Sequence, residues 1–431
     1  MSVRPRPTAP PRTPMPPPET AVSPRVSALE RDLAEGREDV LARFWAEVAG
    51  RGTPLVERVA ADDDHHVVTF LWRDPGTRTR EVLLLANCVT DRSVLPLSRL
   101  LRVPGTDVWH RSYRLPGTWR GSYQFVALEE PFSAATGDED GNDASAGHRM
   151  WRMLGLMAEP DPLNPRRLPA RWGAPPKSVA ELPAAPPQPW LSPRPDVPRG
   201  SVTSHVVHSG HLGEDRRVWT YLPHGHDHGS DYPVLVLLDG DMWGDALPVA
   251  STLDNLVAEG LLPPLVALMP DAVDNPTRWR DLGCHEPFLG FLRDELLPWA
   301  SHRWRVTDDP ARTVIAGQSL GGLTALFAGL RAPERFGNLL SQSGSFWWSP
   351  EGGPSDWLAR RFAAAPRLPL RIHLEAGTRE WILTPATRHL RNVLRDRGYE
   401  VEYAEHDGGH DYACWRGSLA TGLVALAGGW V

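Results

Sequence analysis

Cysteine is scarce: three in 431 residues, Cys88, Cys284 and Cys414, lie too far apart for a disulfide framework or a metal-ligand spacing. A reducing compartment with free thiols is the expectation, and no cofactor or metal is implied. No window approaches the ~18 consecutive apolar residues of a membrane-crossing helix. Positive charge is not in excess either. The formal net charge of −7 leaves no electrostatic footprint for nucleic acid or an anionic membrane surface. The N-terminal stretch "MSVRPRPTAPPRTPMPPPET" has arginines but no apolar segment behind them, so it reads as a disordered tail rather than a signal peptide. These absences predict a cytoplasmic protein with no nucleic-acid or membrane partner, and they leave its oligomeric state open.

What is present is ordinary for a soluble globular protein, with 41% hydrophobic and 23% charged residues. The length exceeds one typical core and predicts two domains. Residues 1–36 are expected to be the Pro-rich tail and the start of a helix, continued in "VSALERDLAEGREDVLARFWAEVAG". Short strand-like runs ("VVTFLWRD", "EVLLLANC", "VWHRSYRL", "SYQFVAL") then predict a β-sandwich over 37–160, with "TGDEDGNDASAGH" as a solvated, mobile loop. Residues 161–200 are so rich in proline that they read as a linker without regular structure. From 201 to 431 strands alternate with helices, which predicts an α/β fold with a mostly parallel sheet covered on both faces.

In that second half "IAGQSLGG" places Ser319 between glycines. The buried-strand run "RTVIAG" leads into the motif and the helix "LGGLTALFAGL" leaves it, the setting of a nucleophile elbow. A serine hydroxyl needs a base to take its proton and a carboxylate to orient that base. His410, in the Gly-rich loop "EHDGGHDYACWRG" after the last strand, is the candidate base, with His406 as its rival. The acid is expected on a loop between serine and histidine. Glu380 in "RIHLEAGTREWI" fits, against Glu375, Asp407 and Asp411. Two amides must stabilise the oxyanion: that of Leu320, next to the nucleophile, and that of Asp241, after the Gly240 turn in "VLVLLDGDMW".

Taken in order, "LLDGDMW", "AGQSLGGLTALFAGLRAPERFG", "LSQSGSFWW", "LEAGTRE" and "GGHDYACWRGSL" resemble the enterochelin esterase family of the wider esterase-D group, over about residues 37 to 431. The resemblance implies an N-terminal β-sandwich before an α/β-hydrolase domain, and hydrolysis of a ferric tri-catecholate trilactone for intracellular iron release. It carries Ser319 over as nucleophile, His410 as base and Glu380 in the acid position. The family stretch Arg-x-x-Glu-Leu-x-x-Asn is matched by "TRWRDLGCHEPF", which keeps Arg278 but has Asp281 and His285 at the Glu and Asn positions, so the particular siderophore stays open. A flat, trianionic ligand calls for guanidinium groups and aromatic walls. Arg278, Arg280, Arg379 and Arg416, with Trp243, Trp347, Trp348 and Trp415, stand beside the motif segments and are the candidate substrate contacts. The alternatives are a carboxylesterase or acyltransferase of the same group, or an inert hydrolase-fold binding protein. The intact serine, histidine and double-glycine elbow argue against the last.

Overall fold

A computed structural model describes residues 16–430 apart from 61, 75, 77, 92–94, 132–152, 228, 230, 248 and 352. Most of the expected tail, and the whole loop expected at 136–148, lie outside the described residues. The chain packs as two compact units. One runs to Pro186 and takes in Asp407–Ala413; the other comprises Pro187–His406 and resumes at Cys414.

Among the described residues the first unit opens with two helices. Pro24–Ala34 starts on a Ser23 cap whose hydroxyl accepts the Val26 amide, and Val40–Arg51 follows after Gly36 turns the chain at φ 67°. The second helix buries Val40, Phe44, Trp45 and Val48 on one face, the spacing read in the sequence. Eight strands follow: β1 (Leu55–Val59), β2 (Asp62–Arg73), β3 (Glu81–Ala86), β4 (Leu101–Arg102), β5 (Val108–Pro116), β6 (Arg120–Leu128), β7 (Arg167–Leu168) and β8 (Lys177–Glu181). They form two sheets, ordered β1-β2-β5-β4 and β3-β6-β8-β7. Alternate residues from facing strands, Val68, Phe70 and Trp72 with Val82, Leu84, Tyr123 and Phe125, make one core.

Strands β7 and β8 fall within 161–200, where no regular structure was expected. Prolines flank β8, at Pro175, Pro176 and Pro183, but its interior "KSVAE" has none, so its amides remain available to pair with β6.

The second unit holds β9 (Ser201–Ser209), β10 (Glu214–Leu222), β11 (Val234–Leu237), β12 (Val266–Pro270), β13 (Thr313–Gln318), β14 (Asn338–Gln342), β15 (Arg371–Gly377) and β16 (Val401–His406). These pair in the order β16-β15-β14-β13-β11-β12-β10-β9, with β11 to β16 parallel and β9 and β10 antiparallel. Every residue of β11, β12, β13 and β14 is buried, as strands covered by helices on both faces must be. From β11 the chain moves to β12 on one side and then to β13 on the other. That reversal opens a crevice at the carboxyl ends of β11 and β13, where ligands bind in sheets of this kind. Among the described residues no helix is long and apolar enough to cross a membrane.

Candidate active site

Ser319 stands at the end of β13 with φ 60° and ψ −118°, a backbone conformation that a residue with a side chain adopts only under strain of ~1–3 kcal/mol. Neighbouring backbone holds it there. The Ser319 amide donates to the Gln342 carbonyl at 3.0 Å, and the Ser319 carbonyl accepts from the amides of Leu323 and Ser345. The glycines make room for the turn: a Cβ on Gly317 would stand 2.5 Å from the Gly321 carbonyl carbon, and one on Gly322 2.4 Å from the Ser341 hydroxyl. The helix Leu320–Arg331 begins at once, so the Leu320 amide, in its first turn, has no acceptor within the helix. The Ser319 hydroxyl lies 3.3 Å from that of Ser345.

At the adjacent strand end, Asp239 also has positive φ, at 66°, and Gly240 packs where a Cβ would stand 2.1 Å from the Met269 carbonyl oxygen. Asp241 opens the following helical turn, Asp241–Ala246. Arg278 ties this turn to β13. Its Nε and one Nη donate to the two carboxylate oxygens of Asp239 at 2.7 and 2.8 Å, and the same Nη reaches the Gln318 carbonyl at 3.2 Å. Arg280 donates to Asp281 and Glu214, and Asp281 also accepts from Arg216. Arg278 and Arg280, the expected substrate contacts, have their guanidinium groups on carboxylates of this chain, and two of these, Asp239 and Asp281, are buried and need neutralising. The aspartate at 281 therefore serves an internal ion-pair cluster.

Glu380 is 3% exposed, in the turn after β15. Its Oε1 accepts from the Ser343 hydroxyl at 2.5 Å and from the Gly377 amide at 2.8 Å, and Trp415 Nε1 donates to the same hydroxyl at 2.9 Å. Its rival Glu375 belongs to another network, accepting from Gln342 and Ser418 at 2.9 and 2.6 Å. Asp411 accepts from the Ser122 and Ala413 amides, and Asp407 from the Thr118 hydroxyl. His406 is the last residue of β16, its carbonyl accepting the Thr378 amide. His410 follows in the loop Asp407–Ala413, which packs with the first unit, and its carbonyl accepts from Asn87 at 2.8 Å.

The four candidate tryptophans lie inside the fold. Trp243 donates to Gln318 at 3.0 Å, Trp347 and Trp348 sit in the main core, and Trp415 donates to Ser343. Arg379 sits in the turn just before Glu380, and Arg416 donates to Gln188 at 3.1 Å. The aromatic wall missed from sequence is Trp381, directly after Glu380. With Phe346 and Trp347 it lines a cavity of about 410 Å³, and its Nε1 is buried without a partner. Adjacency to Glu380 in "TREWI" was its available signal. Ser319, Asp241 and Glu380 thus each follow the carboxyl end of a parallel strand, β13, β11 and β15, while the cavity lies mainly along the helices Trp357–Ala364 and Leu383–Asp396.

Two family models match the chain: Esterase over residues 209–426, and Enterochelin esterase, N-terminal, over 67–191. The iron(III) enterobactin esterase of Dickeya dadantii is 38% identical over 411 residues, covering 90% of this chain and 93% of that protein. The crystal structure of the enterobactin esterase of Shigella flexneri in the presence of enterobactin is similar at TM-score 0.75 and 36% identity, covering 89% of this chain and 97% of that one. The ferric enterobactin esterase of Salmonella typhimurium is similar at TM-score 0.77 and 37% identity, covering 88% and 98%.

Proposed function

Because the chain belongs to the enterochelin esterase family, we propose that it hydrolyses the ester bonds of a ferric tri-catecholate trilactone in the cytoplasm, opening the ring so that iron is released. It is a carboxylic ester hydrolase. The observation that carries its chemistry is the strained Ser319 at the head of a helix.

Ser319 attacks the ester carbonyl as His410 takes the hydroxyl proton, and Glu380 orients the imidazole. The amides of Leu320 and Asp241 hold the oxyanion, which forms beside the positive end of the helix. Collapse breaks the bond to the ring alcohol, and His410 returns the proton to the departing oxygen. Water, deprotonated by His410, then frees the carboxylate from Ser319. The cavity walled by Phe346, Trp347 and Trp381 is sized for one aromatic arm, and Arg379 and Arg416 supply charge toward the anionic complex.

Mass spectrometry of the products from iron-loaded and iron-free trilactone tests this reading. The parent should give ring-opened species heavier by one water per cut, and Ser319→Ala should give none while still binding substrate. A serine-directed phosphonate should label Ser319. Cleavage by Ser319→Ala would remove the nucleophile assignment; turnover of a simple aryl ester with the trilactone left intact would remove the substrate.

A further inference from the structure

The loop Asp407–Ala413 leaves β16 and enters the helix Tyr412–Ala427, yet it packs as part of the first unit. The reason lies in how β3 and β6 pair. Their register runs from Glu81 opposite Leu128 to Ala86 opposite Tyr123, and there β3 ends. β6 begins earlier, at Arg120, so one edge of Arg120–Ser122 has no strand beside it. Arg120 and Ser122 are 5% and 1% exposed, so their amides need acceptors other than water.

The loop supplies them. The Arg120 amide donates to the Asp407 carbonyl at 3.1 Å, and the Ser122 amide to the Asp411 carboxylate at 2.5 Å. The Thr118 hydroxyl binds the Asp407 carboxylate. Gly409 lies so close to the turn after β3 that a Cβ there would stand 2.4 Å from Asn87 Oδ1 and 2.5 Å from Cys88 Cβ. Asn87 donates its side-chain amide to the carbonyl of His410 itself at 2.8 Å. That donor is firmly placed. The Asn87 backbone amide donates to the Ser122 carbonyl, and the Thr90 hydroxyl closes the turn by donating to the Leu84 carbonyl and accepting the Ala86 amide.

We propose that the N-terminal sandwich is the positioning frame of the general base: Asn87, Thr118 and the open edge of β6 set where His410 stands, and Asn87 is a positioning residue for catalysis. The inference rests on the reading of His410 as the base. A general base misplaced by about 1 Å can cost ~10²-fold in rate. The sandwich is then required for turnover even of a small ester that has no need of its surface.

The test uses the full chain and a neutral aryl ester. Asn87→Ala should lower kcat by ~10- to 100-fold with KM within about twofold, and should slow phosphonate labelling of Ser319 in proportion. In a His410→Ala background, whose residual turnover no longer uses the imidazole, Asn87→Ala should have no further effect. Should Asn87→Ala fail to fold, Thr118→Val, which removes the hydroxyl donor to Asp407, should give the same split between kcat and KM. A loss below about twofold, or an equal loss in the His410→Ala background, would overturn the inference and leave the base assignment standing. Full activity in His410→Ala would overturn the base assignment, and this inference with it.

Discussion

Removing the Arg278 guanidinium distinguishes a residue that reads the substrate's charge from one that builds the oxyanion loop. In Arg278→Ala the buried Asp239 carboxylate loses both donors of its bidentate pair, and the Gln318 carbonyl loses a third hydrogen bond. Breaking a buried pair by deleting one partner costs ~3–5 kcal/mol, because the remaining charge is left uncompensated. For a unit of this size that lowers the unfolding midpoint by ~10 °C. Asp239 sits at positive φ two residues before the Asp241 amide, so relaxation there displaces an oxyanion donor, worth ~10²–10³ in kcat. We therefore expect Arg278→Ala to lose turnover on a neutral aryl ester and on the ferric trilactone by similar factors. Arg278→Lys, with a single ammonium and no fork, should recover stability only in part. The assays are kcat and KM on both substrates beside a thermal unfolding curve. An unchanged unfolding midpoint with a raised KM for the ferric trilactone alone would refute this argument and make Arg278 a substrate contact.

Glu380→Gln keeps an oxygen for Ser343 and Gly377 but removes the charge, so kcat should fall ~10³–10⁴-fold, and a fall under about tenfold in steady-state kinetics would assign the acid elsewhere. Stability should also depend on acidity through His110. Burial first, and the charge of Arg111 second, hold its imidazole down at about 4 from the ordinary 6.5. The unfolded chain then binds the proton first, so its contribution is complete above about pH 6.5 and is lost as pH falls toward 4, a change of ~3 kcal/mol. Urea unfolding at stepped pH should show a shallower slope in His110→Gln than in the parent, and identical slopes would rule His110 out.

Ser319 was legible as the candidate nucleophile because everything that makes its backbone unusual is local. The apolar run of β13, the glycines at 317 and 322 and the immediate start of a helix are neighbours in sequence, and each answers to a contact seen in the fold. Proline density hid β7 and β8, since what decides strand formation is where the prolines fall, not their number over 40 residues of sequence. Nearness to motifs marks the arginines and tryptophans as candidates but cannot reveal a carboxylate partner 39 positions away in sequence, as Asp239 is from Arg278. Trp243, Trp347, Trp348 and Trp415 are all buried, and Trp347 lines the cavity as well as packing in the core.

The packing of the His410 loop with the sandwich was illegible in the sequence. Its partners stand 289 residues away at Thr118 and Ser122 and 323 away at Asn87, and none belongs to a motif. The signal is instead a mismatch in length. β6 starts three residues before the register with β3 does, and a sheet edge that opens inside a buried surface must find acceptors somewhere. Here they come from the segment that carries the imidazole. If His410 is the base, as proposed, a substitution at Asn87 or Thr118 acts on the proton transfer without touching substrate. On the proposed reading of His410, a module exchanged for the sandwich would have to offer the same four donors to Asp407, His410 and Asp411.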